Sequence, residues 1–444
     1  MKRLIWICFI ALAATAALSG CREDGPEQDE KEETVDMFGD DLFIKYTDPE
    51  FGVISYKFRN EALGLGKCNT QSNYFVTKSM TDDERFFFMF YSAKEQNGNK
   101  PSKRGAFVVD LKKRKLIQFY ASDSCYPYLD IKEDKLYYYL MDNSRDGGHF
   151  MMKDLLKGTT TQLADFPKEL ATTGSYITRC CSHITLTRDR RKVFLDAIVN
   201  DTFYQGLLDL YTGEWTEWSH NETVHLTHGQ INPTRDDEAL LAIDAYHSSK
   251  KDLPIVNDPD GTFPRIQIMT SDGNRRTIKP SEGNYATHEM WLPDGNTVSF
   301  SAGMDNPDWT MTGGFHTRNI RTGAYTATNV GRATHCNFSN NMKYVVHDDD
   351  RPWGSYQEGF YRGGPWRVWF YNRETKKDIL IYSGLKPITS SDKPSTIHPD
   401  PHPHFVCNDK YIICSASDDE VGENGYGYLH FSITPVDQLI KLTK

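Results

Sequence analysis

The chain has 444 residues, with 51 Lys or Arg against 61 Asp or Glu, so its formal net charge at pH 7 is -10. This acidic balance argues against nucleic acid as a partner, although a local basic or metal-bearing pocket can still bind an anionic ligand. Aromatic residues make up 13% of the chain, with 24 Tyr and 24 Phe, a composition that favours strands over helices.

The N-terminus has the features of an export signal. Lys2 and Arg3 precede an apolar run over residues 4–18, too short for a membrane-spanning helix, and Leu-Ser-Gly-Cys then ends at Cys21. This ending resembles a bacterial lipobox and predicts a lipoprotein signal peptide over residues 1–20, with lipidation at Cys21. We therefore expect a cell-envelope protein anchored to the outer membrane, on its periplasmic or surface face. A plain secretory signal is the alternative.

Residues 21–36 are strongly acidic and predict a flexible, solvated tether. The seven cysteines beyond it are an odd set without C-x-x-C zinc spacing. At least one thiol is therefore expected to stay unpaired within the monomer, and nothing requires a disulfide. These cysteines are Cys68, Cys125, Cys180, Cys181, Cys336, Cys407 and Cys414.

Short alternating or apolar runs recur along residues 37–444 between clusters of Gly, Asn, Asp and Pro, which indicates strands. A common frame fits seven times: a ligand-type or aromatic residue, an apolar residue three positions later, in most copies Asp or Asn six positions later, and then a strand. The seven frames begin at Thr77, Tyr128, His183, His228, His288, His335 and His402.

The frames are spaced by about 45 to 70 residues, which is the scale of four-stranded propeller blades. The sequence therefore predicts an all-β fold, a seven-bladed β-propeller over residues 37–444, with two packed β-sandwiches as the alternative. Residues 52–57 are expected to supply the strand that closes the ring, because closure protects the free edge strands.

The innermost strand of a blade carries its first residue toward the central channel. The five histidines that begin frames should therefore converge at one mouth, where His228 and His335 are expected to contact substrate. Individually, His183 or His335 would more often be an ordinary hydrogen-bonded polar residue.

The stretch from 396 to 405 alternates potential metal ligands with prolines, placing His398, Asp400, His402 and His404 at every second position. Extended backbone, which proline favours, sends alternate side chains to the same side. Imidazole and carboxylate suit a divalent transition ion. Taken alone, the stretch could equally be a proline-rich turn with exposed histidines.

We expect His288 and His402 to bind a divalent metal with one of Asp400, His404 or His398, because the first two share the frame position. His247 ends the second strand of the blade that begins with His228. A histidine beside a metal is a suitable general base, although a surface position for His247 fits its sequence equally well.

Several islands of the chain resemble oligogalacturonate lyases: Ala-Tyr-His at 245–247, Thr-His-Glu-Met-Trp-Leu-Pro-Asp-Gly at 287–295, and His-Pro-His-Phe at 402–405. The resemblance implies a seven-bladed propeller, a manganese-type ion in the channel, and β-elimination of short uronides. His288 and His402 match metal-binding histidines of the family, and His247 matches its proposed base.

Three positions depart from the family pattern. Asp400 stands in place of a ligand histidine, Ile397 in place of a ligand glutamine, and Tyr204 or a neighbour in place of a substrate-facing arginine. Asp400 can still ligate a metal, but Tyr204 cannot supply a cation, so substrate recognition should differ. The candidate replacements are Arg179, Arg276, Lys279 and Arg332.

The leading hypothesis is a lipid-anchored, metal-dependent lyase for uronic-acid oligosaccharides, galacturonide (pectin) fragments or others. The alternative is a noncatalytic propeller lipoprotein that binds glycan or a partner protein. A glycoside hydrolase would need paired carboxylates at the mouth. The acidic clusters at 348–350 and 418–420 are candidates for that role, although such clusters are usually loops.

Overall fold

The protein is described here by a computed structural model, which covers most of the chain from Met37 onward. The described residues are 37–65, 68–94, 101–119, 125–243, 264–281, 285–305, 311–331, 333–350, 366–385, 400–417 and 428–444.

Two N-terminal strands, β1 (Phe43–Thr47) and β2 (Ile54–Phe58), precede six consecutive four-stranded sheets. In each of these six sheets the strands pair in chain order and antiparallel. The first three blades contain β3 (Cys68–Gln71), β4 (Phe86–Lys94), β5 (Pro101–Asp110) and β6 (Lys115–Phe119); β7 (Tyr128–Asp130), β8 (Lys135–Met141), β9 (Gly148–Asp154) and β10 (Thr160–Asp165); and β11 (Ile177–Arg179), β12 (Lys192–Val199), β13 (Thr202–Asp209) and β14 (Trp215–Asn221).

Blades four to six follow the same order. They contain β15 (Leu226–Ile231), β16 (Glu238–Ile243), β17 (Ile266–Thr270) and β18 (Arg275–Ile278); β19 (Tyr285–Trp291), β20 (Thr297–Asp305), β21 (Met311–Asn319) and β22 (Tyr325–Gly331); and β23 (Cys336–Phe338), β24 (Tyr344–Asp350), β25 (Trp366–Asn372) and β26 (Lys377–Tyr382).

The seventh blade joins the two ends of the described chain. It contains β27 (His404–Val406), β28 (Tyr411–Ser417) and β29 (Leu429–Pro435), and β2 then pairs antiparallel with β29, placing Tyr56 opposite Ile433. The C-terminal helix α1 (Val436–Leu442) secures this junction, because Gln438 bonds both the N–H and the C=O of Ile54, at 2.9 and 2.7 Å. The predicted seven-bladed propeller and its closing strand are confirmed.

The polar residue at the sixth position of the frame shapes the turn between the first and second strands. The side chains of Asp83, Asp189, Asp294 and Asn341 each accept a hydrogen bond from the backbone N–H two residues later, at 2.9 to 3.1 Å. Such side-chain bonds mimic a backbone turn. The repeat was therefore detectable because these four copies reverse the chain at the same position of the frame.

Apolar side chains fill the spaces between neighbouring blades. Phe86 and Phe88 of β4 pack with Leu129 and Leu136 of blade two, and all four are almost fully buried. At the closing junction, Phe58 of β2 packs in one cluster with residues of blades one and seven. The closing strand is thus held by burial as well as by hydrogen bonds.

Two features differ from or extend the sequence expectations. Helix α1 was not predicted, since it is short and follows a strand directly. The seven cysteines beyond the tether are all buried with free thiols. Among the described residues, no helix is long and apolar enough to cross a membrane.

Candidate functional site

The frame histidines of blades three to seven lie next to one another around the channel. His228 and His288 lie within β15 and β19, whereas His183, His335 and His402 lie in the short segments that lead into or continue the inner strands of their blades. Ring centroids are 5.8 Å apart for His183 and His228, 4.1 Å for His288 and His335, and 4.4 Å for His335 and His402. The structure therefore brings the five predicted histidines together.

Two tyrosines complete what we call the channel ring, which comprises these five histidines with Tyr74 and Tyr126. The Tyr74 ring centroid lies 4.7 Å from that of His402 and 5.0 Å from that of His183, and Tyr126 lies 5.3 Å from His183. The frame had placed Tyr128 in this role, but its ring packs 6.2 Å from Tyr137. The inner strand of blade two is therefore offset by two residues from the expected register.

Three of the histidines have an unusual backbone. His228, His288 and His402 adopt left-handed φ angles of 56°, 54° and 49°, and strand pairing shifts register around both His228 and His288. Left-handed backbone is uncommon for residues other than glycine, and bulges re-aim side chains beside functional sites. The local strain at the same frame position in three blades supports a functional role for these histidines.

His335, Asp400 and His402 form a candidate metal centre. One ligand atom from each lies within 4.8 Å of the others, and all three residues are buried. The Asp400 Oδ2 atom is 3.7 Å from His335 Nε2 and 3.9 Å from His402 Nε2. Two imidazoles and a carboxylate are a suitable donor set for a divalent transition ion, so the residues present fit such a metal. This group is called the His335–Asp400–His402 cluster below.

Asp348 of β24 orients one member of this cluster. His335 Nδ1 lies 3.0 Å from both Asp348 carboxylate oxygens, so Nδ1–H donates to the carboxylate and Nε2 is left as the coordinating atom. The His402 backbone N–H also donates to Asp348, at 3.2 Å. Burial raises the pKa of Asp348 and the Asp400 charge adds to the rise, while His335 opposes it. The acidic run at 348–350, interpreted from sequence as a loop, is in fact the end of strand β24, with Asp348 and Asp349 buried.

The other two predicted metal ligands occupy different places. His288 lies beside His335, with the two rings tilted by 49°, but it is not among the three residues whose ligand atoms lie within 4.8 Å of one another. His404 is turned away from the cluster: Nδ1 bonds the His402 carbonyl at 3.0 Å and Nε2 bonds Ser79 Oγ at 3.1 Å. Burial lowers the pKa of His404 to about 3, which keeps the ring neutral. The structure thus supports a positioning role for His404 and does not bring it to the metal centre.

A charged group lies at the junction of blades four and five, where Glu289 directly follows His288 in the chain. His228 Nδ1 is 3.1 Å from Glu289 Oε1, and Arg265 Nε is 3.1 Å from Glu289 Oε2. Burial alone would raise the pKa of Glu289, but Arg265 and His228 lower it to about 2. Glu289 is therefore a carboxylate at neutral pH, held between a guanidinium and an imidazole.

Neither Arg265 nor Glu289 was predicted as a site residue. Glu289 directly follows a predicted ligand, and in a regular strand it would have faced the opposite side of the sheet. The bulge at His288 removes that alternation. Arg265 begins the third strand of its blade, where the frame gives no signal. Arg265 provides a cation at the channel ring. The sequence analysis expected such a cation to be missing, because Tyr204 stands in place of an arginine.

Among the other candidate cations, Arg179 lies near the channel ring, whereas Arg276 and also Tyr204 lie elsewhere. Arg179 contacts Ser182 Oγ at 3.4 Å and also Thr227 Oγ1, which places it near His228. Arg276, on the outermost strand of its blade, contacts Glu238 Oε1 at 3.7 Å. Tyr204 lies on β13, the third strand of blade three, with its ring 5.9 Å from His220.

Several predicted positions lie outside the described residues. They are the expected base His247, the lipidation site Cys21, the family departure at Ile397, and the alternative ligand and cation His398 and Arg332.

These observations define a seven-bladed β-propeller with a buried histidine and carboxylate cluster in its channel. Models of known protein families and curated protein sequences gave no match to the chain. Solved structures did: an oligogalacturonate lyase in complex with manganese is similar with a TM-score of 0.63 and 17% identity, over 89% of this chain and 96% of that one. An oligogalacturonate lyase from Vibrio parahaemolyticus gives 0.62 and 15%, over the same shares. At these identities, the similarity shows a shared fold.

Proposed function

We propose that this protein is a lipid-anchored, metal-dependent lyase that cleaves uronic-acid oligosaccharides by β-elimination. The single observation that carries the proposal is the buried His335–Asp400–His402 cluster, set in a ring of histidines at the centre of the propeller. A fold shared with oligogalacturonate lyases supports the same reaction class. Function does not follow from fold alone, so the cluster carries more weight than the fold.

The proposed metal is a divalent ion of the manganese type. His335, Asp400 and His402 would hold it, with His288 beside them as a further candidate. When bound, such an ion supplies Lewis-acid stabilisation of the negative charge that develops on the substrate carboxylate. The family resemblance and the donor chemistry agree on this class of ion.

The residues of the chain would handle the substrate and its proton. Arg265, which contacts Glu289 in the channel ring, would supply positive charge near the substrate carboxylate, and His228 and His335 would contact the sugar. His247 is the proposed base that takes the C5 proton, on the strength of the family resemblance. Loss of the C5 proton and departure of the C4 oxygen would leave an unsaturated uronide.

A noncatalytic glycan- or protein-binding propeller is the second candidate. The observation that favours it is the pairing of Arg265 with Glu289, because that guanidinium is largely buried, at 10% exposure, and already bonded. Under this alternative the channel ring would bind ligand without turnover.

One experiment separates the two. Purified protein is incubated with a panel of uronides, with and without manganese, while the absorbance of the unsaturated product is followed and bound metal is measured by elemental analysis. The lyase proposal predicts metal-dependent product formation that His247→Ala abolishes without loss of metal. Absence of product on every uronide, together with absence of bound metal, would contradict it.

The anchor is tested separately. Cys21→Ser is expected to move the protein from the membrane fraction to the released fraction and to abolish incorporation of a labelled fatty acid. Unchanged membrane association would contradict lipidation at Cys21.

A further inference from the structure

The proposed elimination needs two proton-handling groups. The C5–H bond breaks, its electron pair forms the C4=C5 double bond, and the C4–O bond breaks with its electrons on oxygen. The leaving oxygen is a poor leaving group unless it is protonated. His247 accounts for the first proton only, so a donor to the C4 oxygen has to be supplied by another group or by water.

His228 has the geometry of such a donor. Its Nδ1 lies 3.1 Å from the buried Glu289 carboxylate and 3.4 Å from Arg265 Nη2, and these contacts orient the imidazole. None of the hydrogen bonds among the described residues uses Nε2, on the opposite edge of the ring. The side chain is 24% exposed, so a substrate can reach it.

The backbone fixes where this imidazole points. His228 adopts a left-handed φ of 56° within a bulge of β15, and its N–H donates to Ser182 Oγ at 3.0 Å. A conformation of this kind is retained only where the surroundings impose it. The ring is therefore held from both sides, through its backbone by blade three and through Nδ1 by blade five.

His228 and the His335–Asp400–His402 cluster both lie next to Tyr74 in the channel ring. The Tyr74 ring centroid lies 6.2 Å from that of His228 and 4.7 Å from that of His402. In a uronide the leaving oxygen is on C4, next to the C5 that carries the carboxylate. The donor to that oxygen therefore has to lie in the same channel ring as the cluster that would hold the carboxylate, as His228 does.

We propose that His228 is the general acid of the reaction, with Glu289 as its positioning residue. The Nε2–H proton passes to the C4 oxygen as the C4–O bond breaks, which leaves neutral His228, an alcohol product and an unsaturated uronide. The released C5 proton resides on the base. This inference rests on the proposed lyase function and adds a second catalytic residue to it.

The test compares two substrates that differ in their leaving group. One is a uronide with a glycosidic oxygen at C4, and the other carries fluoride at C4, which leaves without protonation. His228→Asn is the variant of choice, because asparagine tolerates left-handed backbone. We expect its kcat/KM on the glycoside to fall by about 100-fold or more, while the fluoride substrate changes by less than about threefold.

The matched control is His220→Asn. His220 also pairs through Nδ1 with a glutamate, Glu217, at 2.7 Å, but on the exposed outer strand of blade three. This variant should leave both substrates unaffected. Metal content and melting temperature of each variant show whether the site is still assembled.

Two results would overturn the assignment. Equal losses of His228→Asn on both substrates, with metal content intact, would place His228 in binding or in C5 proton removal. Full activity of His228→Asn on the glycoside would exclude it as the acid. An inactive wild-type protein on both substrates would instead remove the lyase function itself, and this inference with it.

Discussion

The Nδ1 atom of His335 lies 3.0 Å from each carboxylate oxygen of Asp348, and Asp348 also accepts the backbone N–H of His402 from the next blade. One buried carboxylate therefore positions two of the three residues of the His335–Asp400–His402 cluster. Blade three has a comparable arrangement, in which Asp196 accepts the N–H groups of Ser182 and of Gly229 in the next blade, at 2.7 and 3.2 Å.

Asp348→Asn should weaken metal binding about 10- to 100-fold, the usual effect of losing a group that orients a ligand histidine. Titration calorimetry with manganese measures the change. Asp196→Asn is the control, because it removes a comparable inter-blade carboxylate that contacts no ring of the cluster. Equal metal affinities for the two variants would contradict the role assigned to Asp348.

His402→Ala and His404→Gln should have opposite consequences. Removal of the His402 imidazole is expected to abolish metal binding, so that manganese no longer raises the melting temperature. For comparison, an intact site stabilises the fold by about 2.7 kcal/mol at a free metal concentration 100 times Kd. His404→Gln should lower stability through lost bonds to Ser79 and the His402 carbonyl, yet retain metal in elemental analysis. Metal loss in His404→Gln alone would restore His404 as a ligand.

Arg265→Met should destabilise the protein by about 3 to 5 kcal/mol, because it leaves the Glu289 carboxylate buried without its cation. The double variant Arg265→Met with Glu289→Gln should recover much of that loss. Urea denaturation of the wild type and the three variants gives the interaction energy as a double-mutant cycle. Additive effects would show that the contact at 3.1 Å contributes little.

Acid should destabilise the fold partly through His347. This side chain stacks on Trp369 with centroids 6.2 Å apart, and burial lowers its pKa from 6.5 to about 4. The unfolded chain then binds the proton more readily than the folded one. The contribution of neutral His347 to the free energy of unfolding is intact above pH 6.5 and is lost between pH 6.5 and about 4. The loss is at most about 1.4 kcal/mol per pH unit.

His347→Phe should therefore flatten the dependence of unfolding free energy on pH in that window, as measured by urea denaturation at a series of pH values. The exposed His220, changed to Gln, is the control and should leave the slope as it is. A wild-type slope in His347→Phe would exclude His347 as the source.

The fold was predictable from the sequence because the blades repeat the same local structure, an inner strand followed by a tight turn and a second strand. In blades one, three, five and six the inner strand leads to a turn held by a side chain such as Asp189 or Asp294, and a strand follows. That recurrence is visible in the sequence, and it also located the five channel histidines. The closing strand was predicted because ring closure protects the edge strands of a propeller that would otherwise be free.

The contacts within the site were less predictable. Whether Asp400 joins His335 rather than His288, or where Glu289 points, depends on bulges and left-handed residues that displace side chains from regular alternation. Contacts between blades add to the difficulty, since Arg265 and Glu289 meet only after blades four and five have packed. The spacing of apolar residues along the sequence does not reveal the bulges, the left-handed residues or the contacts between blades.

Because β2 pairs with β29, the seventh blade can form only after the whole chain has been made. Asp400 and His402 belong to the blade that is completed last, because its outer strands come from the start of the chain and its inner strands from the end. During synthesis or export, an incomplete chain would lack two of the three residues that are proposed to bind the ion. We therefore expect metal to be acquired where the finished ring resides, from the ions available in that compartment.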